Sequence, residues 1–404
     1  MGKKALVTGA LGHTGTFLVR ELLKQGWDLL ATDLAKDARA NLMKKECVFE
    51  DRFCYPPLPD SVKYLPADLR NKDSLYALFD DRMDFDVIFH PASLYDYFAP
   101  LDLLRSINVG GLQNFLDVIL EISKKSNKDP PLFVHWSTCG VYGEPNYKRD
   151  EEGYILPITE DWGFDPPNNY SISKKEQEEL LMKYRDECNL KYIILRSAPI
   201  YGPYQTYGAF HIYYICHKMG AMVCPDVWPP NRKLMMPMIH VEDLVRAAIY
   251  LANRSESIGE VYNVISDSTT EEEWMEYMFQ ELGIYYIRVP IPWWGYKLGA
   301  RIVDKILMKN VEKAKKKGVR PKIDPPMIEY ITHNYYFSNE KLKATGFQFL
   351  YPDFMSGTRQ TIRWYKDNGW FESEPFGVQT VKQRYSKKSK SENQHPKNKK
   401  GGYK

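Results

Sequence analysis

The run Leu6-Val7-Thr8-Gly9-Ala10-Leu11-Gly12-His13-Thr14-Gly15 decides the fold. A short apolar strand, Ala5–Thr8, enters a turn with glycines three apart, and a helical pattern over Thr14–Lys24 leaves it. Each glycine answers a different steric demand. Gly9 permits the tight turn, Gly12 lets backbone N–H groups approach a pyrophosphate, and Gly15 allows close helix–strand packing. Asp33 ends the second strand, Leu29–Thr32, and lies 18 residues beyond Gly15. A carboxylate there accepts hydrogen bonds from adenosine ribose hydroxyls and repels a 2′-phosphate, which favours NAD over NADP as cofactor. Asp68-Leu69 follows the third strand and is placed for an adenine contact, with capping of the helix at Lys72 as the alternative for Asp68.

Working outward, further apolar runs at Val87–Phe89, Phe133–Trp136 and Tyr192–Leu195 alternate with helical patterns at Ser74–Asp80, Leu103–Ile122 and Ser173–Cys188. Strands alternating with helices argue for a parallel sheet covered on both faces. The expected architecture is therefore α/β: a Rossmann-type doubly wound parallel sheet over residues 1–200, completed by parts of 236–265. A smaller α+β substrate lobe follows over 201–370, and a basic, disordered tail over 371–404. Residues 36–61, charged and then proline-rich, read as an insertion looping over the sheet edge. The stretch 290–308 is amphipathic, with Lys297, Arg301 and Lys305 four apart beside Leu298, Ile302 and Ile306. Two outcomes are open for it: a surface helix docked by its apolar side, or an interfacial helix with Trp293 and Trp294 at lipid headgroups.

At 404 residues, with 44% hydrophobic and 26% charged, the chain can bury a sizeable core. Its net charge of +3 is unevenly spread. Residues 383–404 hold eight Lys/Arg against Glu392, so the tail is +7 and the body −4. The basic tail lacks interleaved aromatics, which argues against nucleic acid and leaves a solvated tail or an anionic membrane as its environment. Six scattered cysteines without a C-x-x-C pair suit a reducing compartment, and Cys139, beside Thr138, reads as packing rather than a reactive thiol. No His/Cys/acid cluster has metal spacing; His211, Cys216 and His217 read as a helix with aromatics. No apolar run is long enough to span a bilayer. The expectation is a cytoplasmic protein, with a peripheral membrane contact and a homodimer as further expectations.

Seven motifs in order make the chain resemble the extended short-chain dehydrogenase/reductase (NAD-dependent epimerase/dehydratase) superfamily. They are the glycine turn, His90-Pro91-Ala92-Ser93, Asn108-Val109-Gly110-Gly111, Ser137-Thr138-Cys139-Gly140-Val141-Tyr142-Gly143, Tyr170-Ser171-Ile172-Ser173-Lys174, Leu195-Arg196 through Tyr201-Gly202-Pro203, and His240-Val241-Glu242-Asp243. The resemblance implies Thr138, Tyr170 and Lys174 as the catalytic set. It implies cofactor contacts at Gly9, Gly12, His13, Thr14, Gly15, Asp33, Asp68, Leu69, Pro91, Ala92, Ser93, Asn108, Tyr170, Lys174 and Ala198. Tyr170 and Lys174 stand four apart on a predicted helix, so both emerge on one face. An adjacent ammonium stabilises a phenolate, so Lys174 is expected to lower the pKa of Tyr170, the general acid/base.

The chain departs from the nucleotide-sugar members of that superfamily at two places. Pro199 stands where they carry an Asn, and Met236-Pro237-Met238 where they carry an Arg that binds phosphate. Arg232 and Lys233 lie nearby and could partly substitute. The 4,6-dehydratases carry an Asp-Glu pair where Cys139-Gly140 stands, so that chemistry is not expected. Tyr213, Tyr214, Met219, Met222, Trp228, Met235, Met236 and Met238 suit a bulky apolar ligand. In character the chain looks most like the 3β-hydroxysteroid/sterol-4-carboxylate dehydrogenase branch. The small-molecule substrate expected from this is a secondary alcohol or ketone of sterol or isoprenoid kind, with nucleotide-sugar 4-epimerisation as the alternative.

Overall fold

The computed structural model describes residues 2–46, 54–79, 84–317, 333–379 and residue 382. The first half alternates as the apolar runs require: β1 (Lys4–Val7), α1 (His13–Lys24), β2 (Asp28–Asp33), α2 (Lys36–Glu46), β3 (Lys63–Pro66), α3 (Lys72–Tyr76), β4 (Val87–His90), α4 (Leu101–Leu104), α5 (Gly110–Lys125), β5 (Leu132–Thr138), α6 (Asn169–Cys188) and β6 (Tyr192–Ser197). The second half holds β7 (Ile200–Tyr201), α7 (Ala209–Met219), β8 (Ala221–Trp228), β9 (Met235–Met236), β10 (Ile239–His240), α8 (Val241–Ala252) and β11 (Val261–Val264). After these come β12 (Thr269–Thr270), α9 (Glu271–Leu282), β13 (Tyr285–Pro292), α10 (Trp293–Lys316), α11 (Glu340–Ala344) and α12 (Phe354–Asp367).

Seven strands form one sheet in the order β11-β6-β5-β4-β1-β2-β3, with every neighbouring pair parallel. Successive side chains of a strand point to opposite faces, and the two faces carry separate cores. Ala5, Val7, Val134 and Leu195 pack with α1 and α8, while Leu6, Phe133 and Ile194 pack with α3, α5 and α6. Each fully buried aliphatic side chain in these layers contributes about 1.5–3 kcal/mol over its exposed state. The strand order reverses between β1 and β4, and that switch opens a crevice at the carboxyl ends of the strands.

A third core, built by α7, β8, α9 and α12 around Tyr213, Trp274, Phe279 and Tyr365, is the second lobe. It claims residues from beyond its expected end at 370. Phe371 is buried there, and Val378 is buried as well, so the expected tail boundary at 371 falls inside packed structure. The basic run 383–404 lies outside the described residues. The expected loop over 36–61 begins instead as α2, and Tyr55 is buried again after it.

Helix α6 carries the catalytic candidates, and its position is fixed from both ends. Asn168 caps it, accepting from Ser171 N–H at 2.9 Å. Further along, Glu178 is fully buried and paired with Arg196 of β6 at 2.8 Å. The same guanidinium donates to Tyr142 Oη and to the Glu160 carbonyl, both at 2.8 Å. Ser137 also donates to the Glu178 carboxylate. Removing one partner of a buried ion pair strands the other charge, at a cost of about 3–5 kcal/mol. Arg196→Met should therefore lower the urea midpoint sharply. The double variant Arg196→Met/Glu178→Leu should recover most of that loss, and equal midpoints for the two variants would contradict the assignment.

Candidate active site

The glycine turn is as tight as its spacing demands. Gly9 has φ +60°, and a Cβ there would lie 2.9 Å from the Ala92 backbone. A Cβ on Gly15 would lie 2.0 Å from the Gly9 carbonyl oxygen. Helix α1 starts at Gly12 without a side-chain cap, so its first amides are left for a ligand, and Thr14 lines the cleft beside them. Asp33 holds the turn, its two oxygens accepting from Leu11 N–H (3.0 Å) and Leu34 N–H (2.7 Å). Arg39 brings Nη2 to 3.8 Å from where a Cβ on Gly12 would sit, giving the cradle a cation the motif did not disclose. These features fit a dinucleotide: close backbone approach, an open helix N-terminus, and a positive charge for phosphates.

Some expected contacts do other work. His13 is buried, its Nε2 against the Pro203 carbonyl at 2.8 Å, and burial pushes its pKa down to about 4. A neutral imidazole thus ties α1 to the second lobe. Asn108 sits in a π-helical turn, Arg105–Val109, with its amide fully engaged. It accepts from Leu94 N–H at 2.7 Å and donates to Ser173 Oγ at 3.0 Å, which clamps the loop after β4 to α6. Asp68 does not cap α3; Asn71 does, accepting from Asp73 and Ser74 N–H. Asp68 instead pairs with Arg70 at 2.7 Å, and Leu69 packs against Gly111.

Thr14, Pro91, Ser93, Thr138, Tyr170, Lys174 and Ala198 converge on one cleft. Gly140 N–H donates to Thr138 Oγ1 at 3.1 Å, which orients the hydroxyl. Lys174 is buried, with Nζ donating to the Trp136 carbonyl at 2.7 Å and lying 6.0 Å from the Tyr170 ring centroid. Burial lowers its pKa to about 7, opposed by Glu178. Burial also drives the Tyr170 pKa upward, opposed by Ser93. The expected lowering of Tyr170 by an adjacent ammonium is therefore not found, because desolvation disfavours both charged forms. His90 and His135 stack beneath Lys174 with centroids 5.7 Å apart, and burial first, then Lys174, holds both neutral.

Three tyrosines form a wall that the motifs did not reveal. Tyr95 and Tyr97 pack on the Tyr170 ring at centroid distances of 5.2 and 5.1 Å, and Tyr207 meets Tyr95 at 5.2 Å. The signal for Tyr95 and Tyr97 was their place directly after His90–Ser93. Glu178 was readable too, four residues past Lys174 on the same helix face. Of the eight residues read as an apolar ligand surface, none lines this cleft. Tyr213, Met236 and Met238 are core of the second lobe, Tyr214 and Met222 pack against it, and Met219 and Trp228 are exposed. Lys233 pairs with Glu272 (2.5 Å) and Asp226 (3.2 Å), and neither it nor Arg232 lines the cleft. Cys139 is a buried thiol whose pKa is raised by burial, and it donates to the Arg196 carbonyl.

Residues 5–264, more than half of the chain, match the NAD dependent epimerase/dehydratase family. The chain belongs to that family. A protein of Methanocaldococcus jannaschii, provisionally named a UDP-glucose 4-epimerase, is 24% identical over 343 residues, covering 79% of this chain and 93% of its own. A low-salt glycan biosynthesis protein of Haloferax volcanii is 29% identical over 283 residues, covering 67% of this chain and 81% of its own. Among solved structures, Thermus thermophilus UDP-glucose 4-epimerase with NAD superposes with a TM-score of 0.60 at 21% identity, covering 90% of this chain and 99% of that one. The Thermotoga maritima enzyme with UDP-glucose gives 0.63 at 19% identity, over 90% of this chain and 99% of that one. The fold is thus that of these enzymes, and the chain is an NAD-dependent enzyme of the extended short-chain dehydrogenase type. Three of these four carry the name UDP-glucose 4-epimerase, and none of the names supports a sterol branch.

The low pKa of Lys174 has a measurable sign. Folded and free of cofactor, the residue keeps its proton only below about 7, against 10.5 for an ordinary lysine. Between those values the unfolded chain binds the extra proton, so this group makes stability rise with pH across the window. Lys174→Met should stabilise the cofactor-free protein most at pH 7 and below, with the gain fading toward pH 10. Thermal melts across that range check it, and a pH-independent difference would contradict the assignment.

Proposed function

We propose that the protein is a nucleotide-sugar 4-epimerase or a closely related sugar-modifying enzyme that uses NAD without net redox change. The observation that carries this reading is the convergence of Thr138, Tyr170 and Lys174 on a cleft walled by phenols rather than by the Met-rich residues. Phenol rings stack on the C–H faces of a pyranose while their hydroxyls reach its oxygens, which suits a sugar better than a sterol. Near full-length similarity to proteins named for this activity supports it.

Gly9, Gly12, Gly15 and the α1 amides would hold the pyrophosphate, with Arg39 at the cradle mouth and Asp33 on the adenosine ribose. Asp68 and Leu69 would flank the adenine, and Pro91, Ala92, Ser93 and Ala198 the nicotinamide side. His13 and Asn108 are positioning residues, acting through Pro203 and Leu94. When bound, the oxidised nicotinamide supplies the hydride acceptor and a positive charge beside the phenol. Tyr170 Oη exchanges a proton with the substrate hydroxyl, and Thr138 hydrogen-bonds the same oxygen. Lys174 lies beneath, held by the Trp136 carbonyl at 2.7 Å, and would tune the phenol.

A second reading, net dehydrogenation of an uncharged secondary alcohol of sterol or isoprenoid kind, is favoured by one feature. Lys174 is the only Lys or Arg among the described residues lining the cleft, so a diphosphate finds no arginine fork and no second ammonium there. Incubating the NAD-loaded protein with UDP-glucose, UDP-N-acetylglucosamine and a sterol alcohol separates the two. Epimerisation gives a new sugar by chromatography with no net NADH; the second reading gives stoichiometric NADH from the alcohol alone. Tyr170→Phe should cut turnover by about 10²–10⁴-fold while still binding NAD. Full activity in that variant would overturn the role of Tyr170 under either reading.

A further inference from the structure

Helix α10 docks on the second lobe by the side opposite to the one its pattern suggests. Tyr296 fixes the choice: its hydroxyl donates at 2.6 Å to Glu271, a buried carboxylate whose pKa burial raises to about 8. Val311, toward the far end of that side, is buried, while Val303 between them is 43% exposed, so the contact is not continuous. The apolar row four apart is left facing water. Trp294, Leu298, Ile302 and Ile306 are 72%, 55%, 52% and 56% exposed. Three positions beyond each stands a cation, Lys297, Arg301, Lys305 and Lys309, all exposed. Residues three apart on a helix are surface neighbours, so an apolar ridge and a basic ridge run side by side. The helix holds seven Lys/Arg against two acids, Asp304 and Glu312. Trp228, 68% exposed, pairs in register with Pro292 at the base of the helix and adds a second indole there.

We propose that α10 is an interfacial membrane helix, laid flat on an anionic lipid surface with Trp294, Leu298, Ile302 and Ile306 in the headgroup–acyl boundary and the basic ridge on lipid phosphates. Both features are needed by such a surface: apolar area to insert, and cations for anionic headgroups. A second copy of the chain in antiparallel two-fold contact through this face would set basic ridge against basic ridge, which a lipid surface does not. Helix α10 is too polar to cross: among the described residues no helix is long and apolar enough to span a membrane. The proposal is independent of the substrate reading, since its readout is binding.

The test is flotation of the full-length protein with phosphatidylcholine vesicles, with and without 30% phosphatidylglycerol. The protein should float with anionic vesicles and remain behind with neutral ones. At about 1 kcal/mol per cation near an anionic surface, Lys297→Ser/Arg301→Ser/Lys305→Ser should weaken partition roughly a hundredfold. Trp294→Ser/Leu298→Ser/Ile302→Ser should abolish flotation in protein that still binds NAD. The basic tail is present in every variant, so undiminished flotation of both would assign binding to the tail and overturn the proposal. Brominated lipid should quench fluorescence less in Trp294→Phe than in the parent chain. A lipid-free dimer that the apolar triple variant dissolves would also overturn it, assigning the face to a second copy.

Discussion

The guanidinium of Arg196 reaches three parts of the chain from one point in β6: the carboxylate of Glu178 on α6, the phenol of Tyr142 after β5, and the carbonyl of Glu160. Each is buried or partly so, and each gives up water that this charge helps to replace. The register of α6 against the sheet follows from that satisfaction. Because Tyr170, Lys174 and Glu178 repeat every four residues, fixing Glu178 fixes the other two. Tyr142 continues the network to Asn263 of β11 at 2.7 Å, so the same charge also joins the last strand to the sheet.

The fold was legible because its signals are local. A glycine turn between an apolar strand and a helix permits few backbones, and the alternation of strands with helices leaves one kind of sheet. The first-half strands lie within a residue or two of the apolar runs. The charge-rich stretch after Asp33 was misread because composition says little about a short surface helix, and α2 forms there. Of the site, the residues that share one cleft, Thr138, Tyr170 and Lys174 among them, were legible from their motifs. Asn108 and His13 were not, because a side chain's partner is a tertiary fact: an amide at the expected position turned to Leu94 and Ser173 instead. The apolar ligand surface failed for a related reason. Methionine and tyrosine enrichment marks a core and a cleft alike, and here it marked the core.

Desolvation outweighs pairwise charge at the candidate catalytic residues. A lysine beside a tyrosine was expected to lower the phenol's pKa, yet burial raises the one and lowers the other.

Strand β11 begins sixty-odd residues after β6, once the chain has made β7 to β10 and α8, and it returns to lie beside β6. The sheet is therefore finished only by chain that has already visited the other lobe. During synthesis, Tyr192–Ser197 would emerge as an unpaired edge, apolar on both faces, with its hydrogen-bonding groups open to any passing strand. That exposure lasts until Val261–Val264 arrives. The interval is an aggregation hazard built into the topology, and it makes the two lobes one folding unit rather than two that could be cut apart after residue 200.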